Sequence, residues 1–258
     1  MRVPKLSPGQ VSVDCDTCRA RANGLCDGCA PEIVRAIADY KSGDRAVRSG
    51  EHLISLGRPC DEFYNLVDGL VCLYNLLEDG RRQILYFALP GALLGASSSC
   101  GAVATYGAQA LTDAVVCVIP RRNLATLSKQ HPEVAIRVSE LAERDLSLAY
   151  DHLTSIGRRS ARERVAHLVL ELFLRYRAQW PGHRIEEMYL PLTQEHIGDA
   201  TGLTGVHVNR VLGELRKDGV IEFHYRRLRI LDPDKLVDVA GIDPHLALAW
   251  TRGPSLTG

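Results

Sequence analysis

Four cysteines lie within fifteen residues near the start of the chain, in the segment CDTCRARANGLCDGC that runs from Cys15 to Cys29. Thiols at this density bind a metal, pair as disulfides or remain free. The preceding residues contain no apolar stretch of the kind that a secretory signal needs, so we expect a reducing cytoplasm, where clustered thiols more often bind metal. The spacing alone, two C-x2-C pairs, suits a self-contained site that zinc accepts as readily as iron.

Charge and hydropathy narrow the possible partners. The chain has 258 residues, and its 31 Lys and Arg balance 31 Asp and Glu, so a nucleic-acid site must be a local patch. The longest uncharged stretch, residues 83–112, contains Pro90, four glycines and three consecutive serines. A lipid-facing helix tolerates these residues poorly, so we expect no membrane span.

Short apolar runs predict a β-roll after the cysteine-rich segment. Runs such as 63–67, 71–77 and 83–89 have strand length, and glycines separate them at intervals typical of turns in a sandwich or barrel-like roll. Three further cysteines of the roll, Cys60, Cys72 and Cys100, are interpreted as small core residues. The predicted domains are a cysteine-rich arm (1–30), the roll (31–131), a long helix (132–157) and a mostly helical C-terminal domain (158–258).

The long helix carries a narrow apolar seam. Pro132 suits its first turn, and apolar residues recur at spacings of 4, 4, 3, 4 and 3, close to a heptad repeat. Such a seam packs either on the helix's own domain or on a second chain, and the charged residues beside it favour a homodimer. The predicted dimerisation residues are Val138, Ala142, Leu146, Ala149, Leu153 and Ile156.

Residues 192–217 have the features of a helix-turn-helix. Thr193 caps a first helix, Gly202 permits a left-handed backbone at its end, and Thr204 caps a second helix. Gly198 is the small residue where the two helices touch. Two short helices around a glycine also occur in ordinary helical domains, but the caps, the buried positions and the basic outer face together favour DNA binding. The inward positions are Ile197, Leu203, Val208 and Val211.

The outer face of the second helix carries residues that can read base edges. Arg210 can donate two hydrogen bonds to guanine, Asn209 can pair with adenine or a phosphate, and Val206 can contact a thymine methyl. The following segment VIEFHYRRLRIL, at the predicted strand pair 220–231, indicates a wing whose arginines reach phosphates. The predicted DNA-contacting residues are Thr204, Gly205, Val206, His207, Asn209, Arg210, Arg226 and Arg227.

A glycine-punctuated roll, a long seam helix and a winged helix-turn-helix resemble, in this order, the CRP/FNR family of bacterial transcription regulators. The motifs that carry the resemblance are LPGALLG (89–95), LTDAVVCVIP (111–120), ARERVAHLVLEL (161–172) and LTQEHIGDATGLTGVHVNRVLGELRKDGVI (192–221). It implies an α+β chain with a cyclic-nucleotide-binding-like jelly roll, a dimerisation helix and a C-terminal winged helix-turn-helix. It also implies a cytoplasmic homodimer that binds a palindromic operator in double-stranded DNA and contacts RNA polymerase.

Two kinds of sensor occur in this family, and the roll disfavours one of them. Cyclic-nucleotide members carry a Gly-Glu pair and then an Arg-Ser pair, whereas this chain has Gly91-Ala92 and no arginine in residues 90–111. A cyclic phosphate buried without a cation partner is badly solvated, so we expect no cyclic nucleotide.

FNR-like members instead hold an iron–sulfur cluster with three cysteines of the N-terminal arm and one of the roll. By this resemblance Cys15, Cys18 and Cys26 are the arm ligands, and Cys117 occupies the position of the fourth. The resemblance implies a [4Fe–4S] cluster that oxygen or nitric oxide degrades. Cys29 leaves alternatives open, in which the arm cysteines form a local zinc or cluster site or act as a thiol redox switch.

The recognition helix departs from the family pattern, and no catalytic motif is evident. Val206 replaces the family's usual glutamate and Asn209 its usual Ser or Gly, whereas Arg210 is kept, so we expect a half-site that differs from the family's usual one. The segment GALLG is not a phosphate-binding loop, and the nine histidines are scattered. We therefore expect a regulator and not an enzyme.

Overall fold

The computed structural model describes residues 11–95, 103–179 and 187–243. The chain divides into two compact units, one made of Arg2–Asn75 and Tyr86–Asp145, the other of Leu76–Leu85 and Leu146–Gly258. Cys100, which the sequence assigns to the core of the roll, lies outside the described residues. Among the described helices, none combines the length and the apolar character that a bilayer crossing needs.

Two four-stranded sheets form the roll, which confirms the predicted fold class. Their strand orders are β1-β8-β3-β6 and β2-β7-β4-β5, so strands distant in sequence lie side by side. The predicted runs correspond to β3, β4 and β5. The strands are β1 (Gly43–Val47), β2 (His52–Ile54), β3 (Glu62–Asp68), β4 (Val71–Leu76), β5 (Arg82–Ala88), β6 (Leu93–Leu94), β7 (Gly107–Ala110) and β8 (Ala114–Pro120).

Strand β8 lies between β1 and β3 and is buried on both faces, which explains its unbroken apolar sequence AVVCVI. Val116 and Val118 point into the core between the two sheets. Because side chains alternate along a strand, the intervening residues point to the opposite face, where Val115 and Cys117 form a small apolar cluster with Val67 of β3. Cys117 therefore lies on the outer face of its sheet.

Helices and a short 3-10 helix cover that outer face. The 3-10 helix is Arg19–Asn23, and the helices are α1 (Pro31–Tyr40), α2 (Arg121–Gln130) and α3 (Pro132–Arg158). Buried residues of all three helices share one apolar cluster with Phe63 and Ile119 of the sheet. The long helix α3 begins at Pro132, as predicted, because the fixed φ angle of proline suits the first turn of a helix.

The C-terminal part contains the predicted helices and strand pair, with two further elements. Its elements are α4 (Ala161–Ala178), β9 (Glu187–Tyr189), α5 (Gln194–Thr201), α6 (Gly205–Lys217), β10 (Ile221–His224), β11 (Arg227–Ile230) and α7 (Pro233–Ala240). The predicted strand pair is confirmed as β10 and β11, and β9, which was not predicted, pairs with β11 to make a three-stranded sheet. Helix α7 was not predicted, although Asp232 caps it by accepting a hydrogen bond from the Lys235 backbone N–H at 3.0 Å.

A polar cluster lies where α3 and α4 meet. The buried His167 Nε2 is 2.7 Å from Asp151 Oδ2. The neighbouring His152 has its Nε2 buried with no hydrogen-bond partner among the described residues. Burial lowers the pKa of His152, and His167 adds to this, although the carboxylates of Glu171 and Asp151 act in the opposite direction. His152 is therefore held neutral in the folded protein.

This arrangement predicts a loss of stability in mild acid. The unfolded chain takes up a proton on His152 below about pH 6.5, the ordinary pKa of histidine, whereas the folded chain does not until a lower pH, so the free energy of unfolding falls in that interval. We expect His152→Gln, which cannot be protonated, to lose less stability than the wild type between about pH 7 and about pH 5.5 in urea titrations.

The matched control is His224→Gln, whose side chain is exposed on β10. It should follow the wild-type pH profile. Parallel curves for all three proteins would contradict a neutral, buried His152.

Candidate DNA interface and cysteine site

Local hydrogen bonds set the ends of the two helix-turn-helix elements. Thr193 Oγ1 accepts from the His196 N–H at 3.1 Å at the start of α5, and Gly202 ends it with φ +69°. Thr204 Oγ1 accepts from the His207 N–H at 3.3 Å at the start of α6. These are the three capping positions that the sequence indicates, and each depends only on neighbours within four residues.

The angle between α5 and α6 is determined by a close backbone contact at Gly198. The Leu203 N–H donates to the Gly198 carbonyl at 3.0 Å, and a Cβ added to Gly198 would lie 2.5 Å from the Leu203 carbonyl oxygen. Leu203 itself is only partly buried. The remaining inward positions, Ile197, Val208 and Val211, are buried as the pattern indicates.

The outer face of α6 presents the predicted base-reading side chains. Val206 is 84% exposed, and Asn209 and Arg210 are also exposed. Arg210 Nη2 is 2.8 Å from His207 Nε2, and Gln194 Nε2 donates to Asn209 Oδ1 at 3.0 Å. Both contacts restrict the side chains before DNA arrives. Gln194 was not predicted, because its link to Asn209 spans fifteen residues and leaves no periodic signal.

The wing is a two-residue hairpin whose tip is Tyr225 and Arg226. Their φ angles are +49° and +63°, so both adopt the left-handed conformation that most side chains disfavour. Strained backbone of this kind persists mainly where function needs it. Tyr225 is 97% exposed and was not among the predicted contacts. Arg227 donates to the Glu187 carboxylate of β9, so only Arg226 of the two predicted wing arginines is at the tip.

Helix α3 has two apolar stripes of different exposure. Val134, Leu141 and Leu148, each seven residues apart, are buried within the chain. The predicted seam is mostly exposed: Leu146 and Leu153 have 49% and 68% of their surface accessible, and Ala142 and Ala149 are exposed, whereas Ile156 is partly buried. Val138, also predicted as a seam residue, packs against the apolar cluster of its own roll. The remaining stripe is an apolar surface suited to a second α3.

The cysteine arm is docked against the roll by apolar contacts at two points. Leu25 is fully buried in the cluster beneath α1 and α2, and the adjacent Cys26 and the nearby Cys29 pack against the same cluster. Upstream, Cys18 packs against the cluster that contains Cys117. The arm therefore brings its cysteines to the face of the sheet to which Cys117 points.

Two arginines of α3 bind the backbone of the arm between its cysteines. Arg137 Nε donates to the Gly24 carbonyl at 2.9 Å, and its Nη2 is 3.1 Å from the Asp27 carboxylate. Arg144 Nη1 donates to the Asn23 carbonyl at 3.2 Å. Since all of these residues lie in one compact unit, the position of the arm and the position of this part of α3 depend on each other.

Cys117 is buried and the four arm cysteines are partly buried, and the surroundings of several of them favour the protonated thiol. Burial raises the pKa of Cys26 to about 12, with further contributions from Cys29, Cys15 and Cys18. Burial also raises the pKa of Cys117, and a carboxylate beside it (Asp44) acts in the same direction. Reactive redox thiols need the opposite, an exposed and easily deprotonated sulfur. These cysteines resemble ligands that lose their protons when a metal binds.

The donor set fits a thiolate-bound metal by its chemistry. Within the described residues, no three His, Cys, Asp or Glu side chains are grouped closely enough to hold a metal ion. Cys18, Cys26, Cys29 and Cys117 nevertheless lie in apolar clusters on the same face of the sheet, and soft thiolates are the ligands that iron–sulfur clusters and structural zinc prefer. Binding would draw these sulfur atoms together.

Comparison with known proteins gives matches over both parts of the chain. Residues 44–131 match the family model for a cyclic nucleotide-binding domain, and residues 163–239 match the Crp-like helix-turn-helix domain. The nitrogen fixation regulation protein FixK of Bradyrhizobium diazoefficiens is 33% identical over 88% of this chain and 93% of its own length. The transcriptional activator protein FnrL of Cereibacter sphaeroides is 29% identical over 89% of this chain and 92% of its own. The solved structure of FixK2 from Bradyrhizobium japonicum is 30% identical, covers 78% of this chain and 98% of that one, and has a TM-score of 0.69.

The close contact at Gly198 predicts opposite effects for two glycine substitutions. Gly198→Ala forces a Cβ against the Leu203 carbonyl, so we expect a loss of about 1–3 kcal/mol in the free energy of unfolding, together with weaker DNA binding. Gly213→Ala is the matched control inside α6, where an added Cβ meets only the end of the Arg216 side chain at 3.9 Å.

Gly213→Ala should stabilise the protein by about 0.5–1 kcal/mol, because alanine is the better helix former. Urea unfolding of the two variants measures both effects. Equal stabilities would show that α5 and α6 do not touch at Gly198.

Proposed function

Because the chain belongs to the CRP/FNR family of DNA-binding transcription regulators, which are not enzymes, we propose that it is a regulator whose operator binding is controlled by an oxygen- or nitric-oxide-labile [4Fe–4S] cluster. The observation that carries the proposal is the docking of the cysteine arm on the face of β8 that displays Cys117. A sensor on the arm can act on transcription only if it is coupled to the rest of the protein, and this docking supplies the coupling.

The DNA-reading role rests on α6 and the wing. The exposed Arg210 has the donor geometry for guanine, Val206 offers an apolar surface to a thymine methyl, and Arg226 at the wing tip suits a phosphate. The family is dimeric, and an exposed apolar stripe on α3 supports a homodimer here. Two recognition helices then read a palindromic operator in cytoplasmic DNA, with RNA polymerase as the further partner.

The proposed cluster ligands are Cys15, Cys18, Cys26 and Cys117. When bound, the cluster supplies an oxygen-sensitive centre whose loss changes the chemistry at these four sulfur atoms. The chain's own residues carry the consequence, because Arg137 and Arg144 bind the arm backbone next to these cysteines and belong to α3. A displaced arm alters those contacts, and with them the helix that forms the proposed dimer seam.

A second candidate is a regulator of the same fold with zinc or a thiol switch in the arm. Cys29 favours it, because Cys29 packs against the same apolar cluster as Cys26 and so lies near the other arm cysteines. The raised pKa values of Cys18, Cys26 and Cys29 argue against the thiol switch. We propose no cyclic nucleotide as a ligand of the roll. Residues 90–111 of the roll contain no charged side chain that could pair with its phosphate.

We expect Cys117→Ser to lose the cluster and Cys29→Ser to keep it. Wild-type protein purified without oxygen should be brown, contain about four iron and four sulfide per chain, and bleach in air. Cys29→Ser should match it, whereas Cys117→Ser should be colourless and low in iron.

If Cys29→Ser lost the cluster and Cys117→Ser kept it, Cys29 would be the fourth ligand. A colourless wild type with one zinc per chain would replace the cluster by the second candidate.

We expect Arg210→Ala and Arg226→Ala to weaken DNA binding in different ways. Arg210→Ala should cost about 1–3 kcal/mol on the preferred operator and relax the base preference at one position. Arg226→Ala should weaken binding to all sequences alike and reduce the dependence on salt by about one phosphate contact. Selection from a random DNA pool, followed by salt titrations, separates the two.

The control is Lys129→Ala on α2, an exposed basic residue of the roll. It should bind as the wild type does. An unchanged base preference in Arg210→Ala would remove Arg210 from the base-reading residues.

A further inference from the structure

A buried ion pair lies next to the cysteine site. Lys41, directly after α1, and Asp44, on β1, approach to 2.8 Å, and only 16% and 3% of their side chains are exposed. Asp44 is paired with Cys117 across β1 and β8, so the two side chains lie on the same face of the sheet. A buried ion pair contributes little net stability by itself, which calls for another role.

Both members of the pair bind the backbone of one arm residue, Val13. Asp44 Oδ2 accepts from the Val13 N–H at 2.8 Å, and Lys41 Nζ donates to the Val13 carbonyl at 3.2 Å. Hydrogen bonds between charged and neutral groups are stronger than neutral ones, and here both polar groups of a single peptide residue are satisfied. Val13 is two residues before Cys15, so the pair determines where the first proposed ligand starts.

The ammonium group also faces a proposed ligand directly. Lys41 Nζ lies 3.9 Å from Cys15 Sγ. The ammonium group is held in this position by its ion pair with Asp44 and by its hydrogen bond to the Val13 carbonyl. A charged donor at this distance can donate a hydrogen bond to the Cys15 sulfur, and it would offset the negative charge of that sulfur when it is bound to a metal.

We propose that Lys41 and Asp44 are positioning residues of the cluster site: the pair fastens the arm at Val13 beside Cys117, and Lys41 stabilises the negative charge of the Cys15 ligand. This inference rests on the proposed function and adds residues that ligate nothing themselves. It explains why a charged pair is kept in an apolar region where a packed hydrophobic pair would serve stability equally well.

The test compares Lys41→Met, Lys41→Arg and Lys129→Met, which removes an exposed lysine from α2. Two quantities are measured: the rate at which an iron chelator removes iron without oxygen, and hydrogen exchange of the peptide around Val13 in metal-free protein. Lys41→Met should lose iron roughly tenfold faster and exchange faster at Val13. Lys41→Arg keeps the charge and the donors, so it should stay close to the wild type, as should Lys129→Met.

The outcomes separate this inference from the proposed function. Wild-type protein that assembles no cluster contradicts the proposed function, and exchange at Val13 then still decides whether the pair docks the arm. A wild type with its cluster, and Lys41→Met with unchanged iron loss, overturns the role of Lys41 in the site. Faster iron loss in Lys129→Met or in Lys41→Arg would overturn it as well, because the effect would no longer follow the buried charge.

Discussion

The docking of the arm on one face of β8 is the constraint on which the proposed sensor depends. Side chains alternate along the strand, so Val116 and Val118 fill the core of the roll while Cys117 faces the arm. A register slip of one residue would bury Cys117 between the sheets and turn a valine toward the arm. The pairing of β8 with β1 and β3 on both sides prevents such a slip, and it also brings Asp44 beside Cys117.

Helix α3 uses polar residues seven apart to contact two other segments, the arm and α4. Arg137 and Arg144 bind the arm, and Asp151, seven residues further on, binds His167 of α4. Residues at this spacing lie on one face of a helix, so Arg137 and Arg144 present one polar face to the arm. The exposed stripe that contains Leu146 and Leu153 occupies another face, which leaves the proposed dimer contact free of these polar bonds.

Local rules predicted the helix-turn-helix well, because each of its determinants acts over a few residues. Thr193, Gly202 and Thr204 cap helices through neighbours, and Gly198 is required by a contact only five residues away. The family and the roll were predicted for the same reason, from motifs and turn spacing. Contacts between distant segments were missed: β9 pairs with a strand almost forty residues away. The contact of Val138 with its own roll was not predicted either, because a seam pattern does not say which of two apolar surfaces a residue meets.

The arm's cysteines were recognisable from their spacing, but what holds the arm was not. Its attachment uses backbone groups of Val13, Asn23 and Gly24. It also uses the buried side chain of Leu25, and none of these contacts has a recognisable sequence pattern. The arm is thus fastened by backbone groups and by Leu25 as well as by cysteines that pack against the same apolar clusters. A ligand on those thiols can change the position of α3 only through the contacts of Arg137 and Arg144. The size of the change is limited by the difference in the ligand's binding free energy between the protein with these contacts and the protein without them. Since the contacts of Arg137 and Arg144 are few and partly buried, small displacements of the arm suffice to change them. The effect of the proposed cluster on α3 therefore depends on how firmly the arm is attached to the roll.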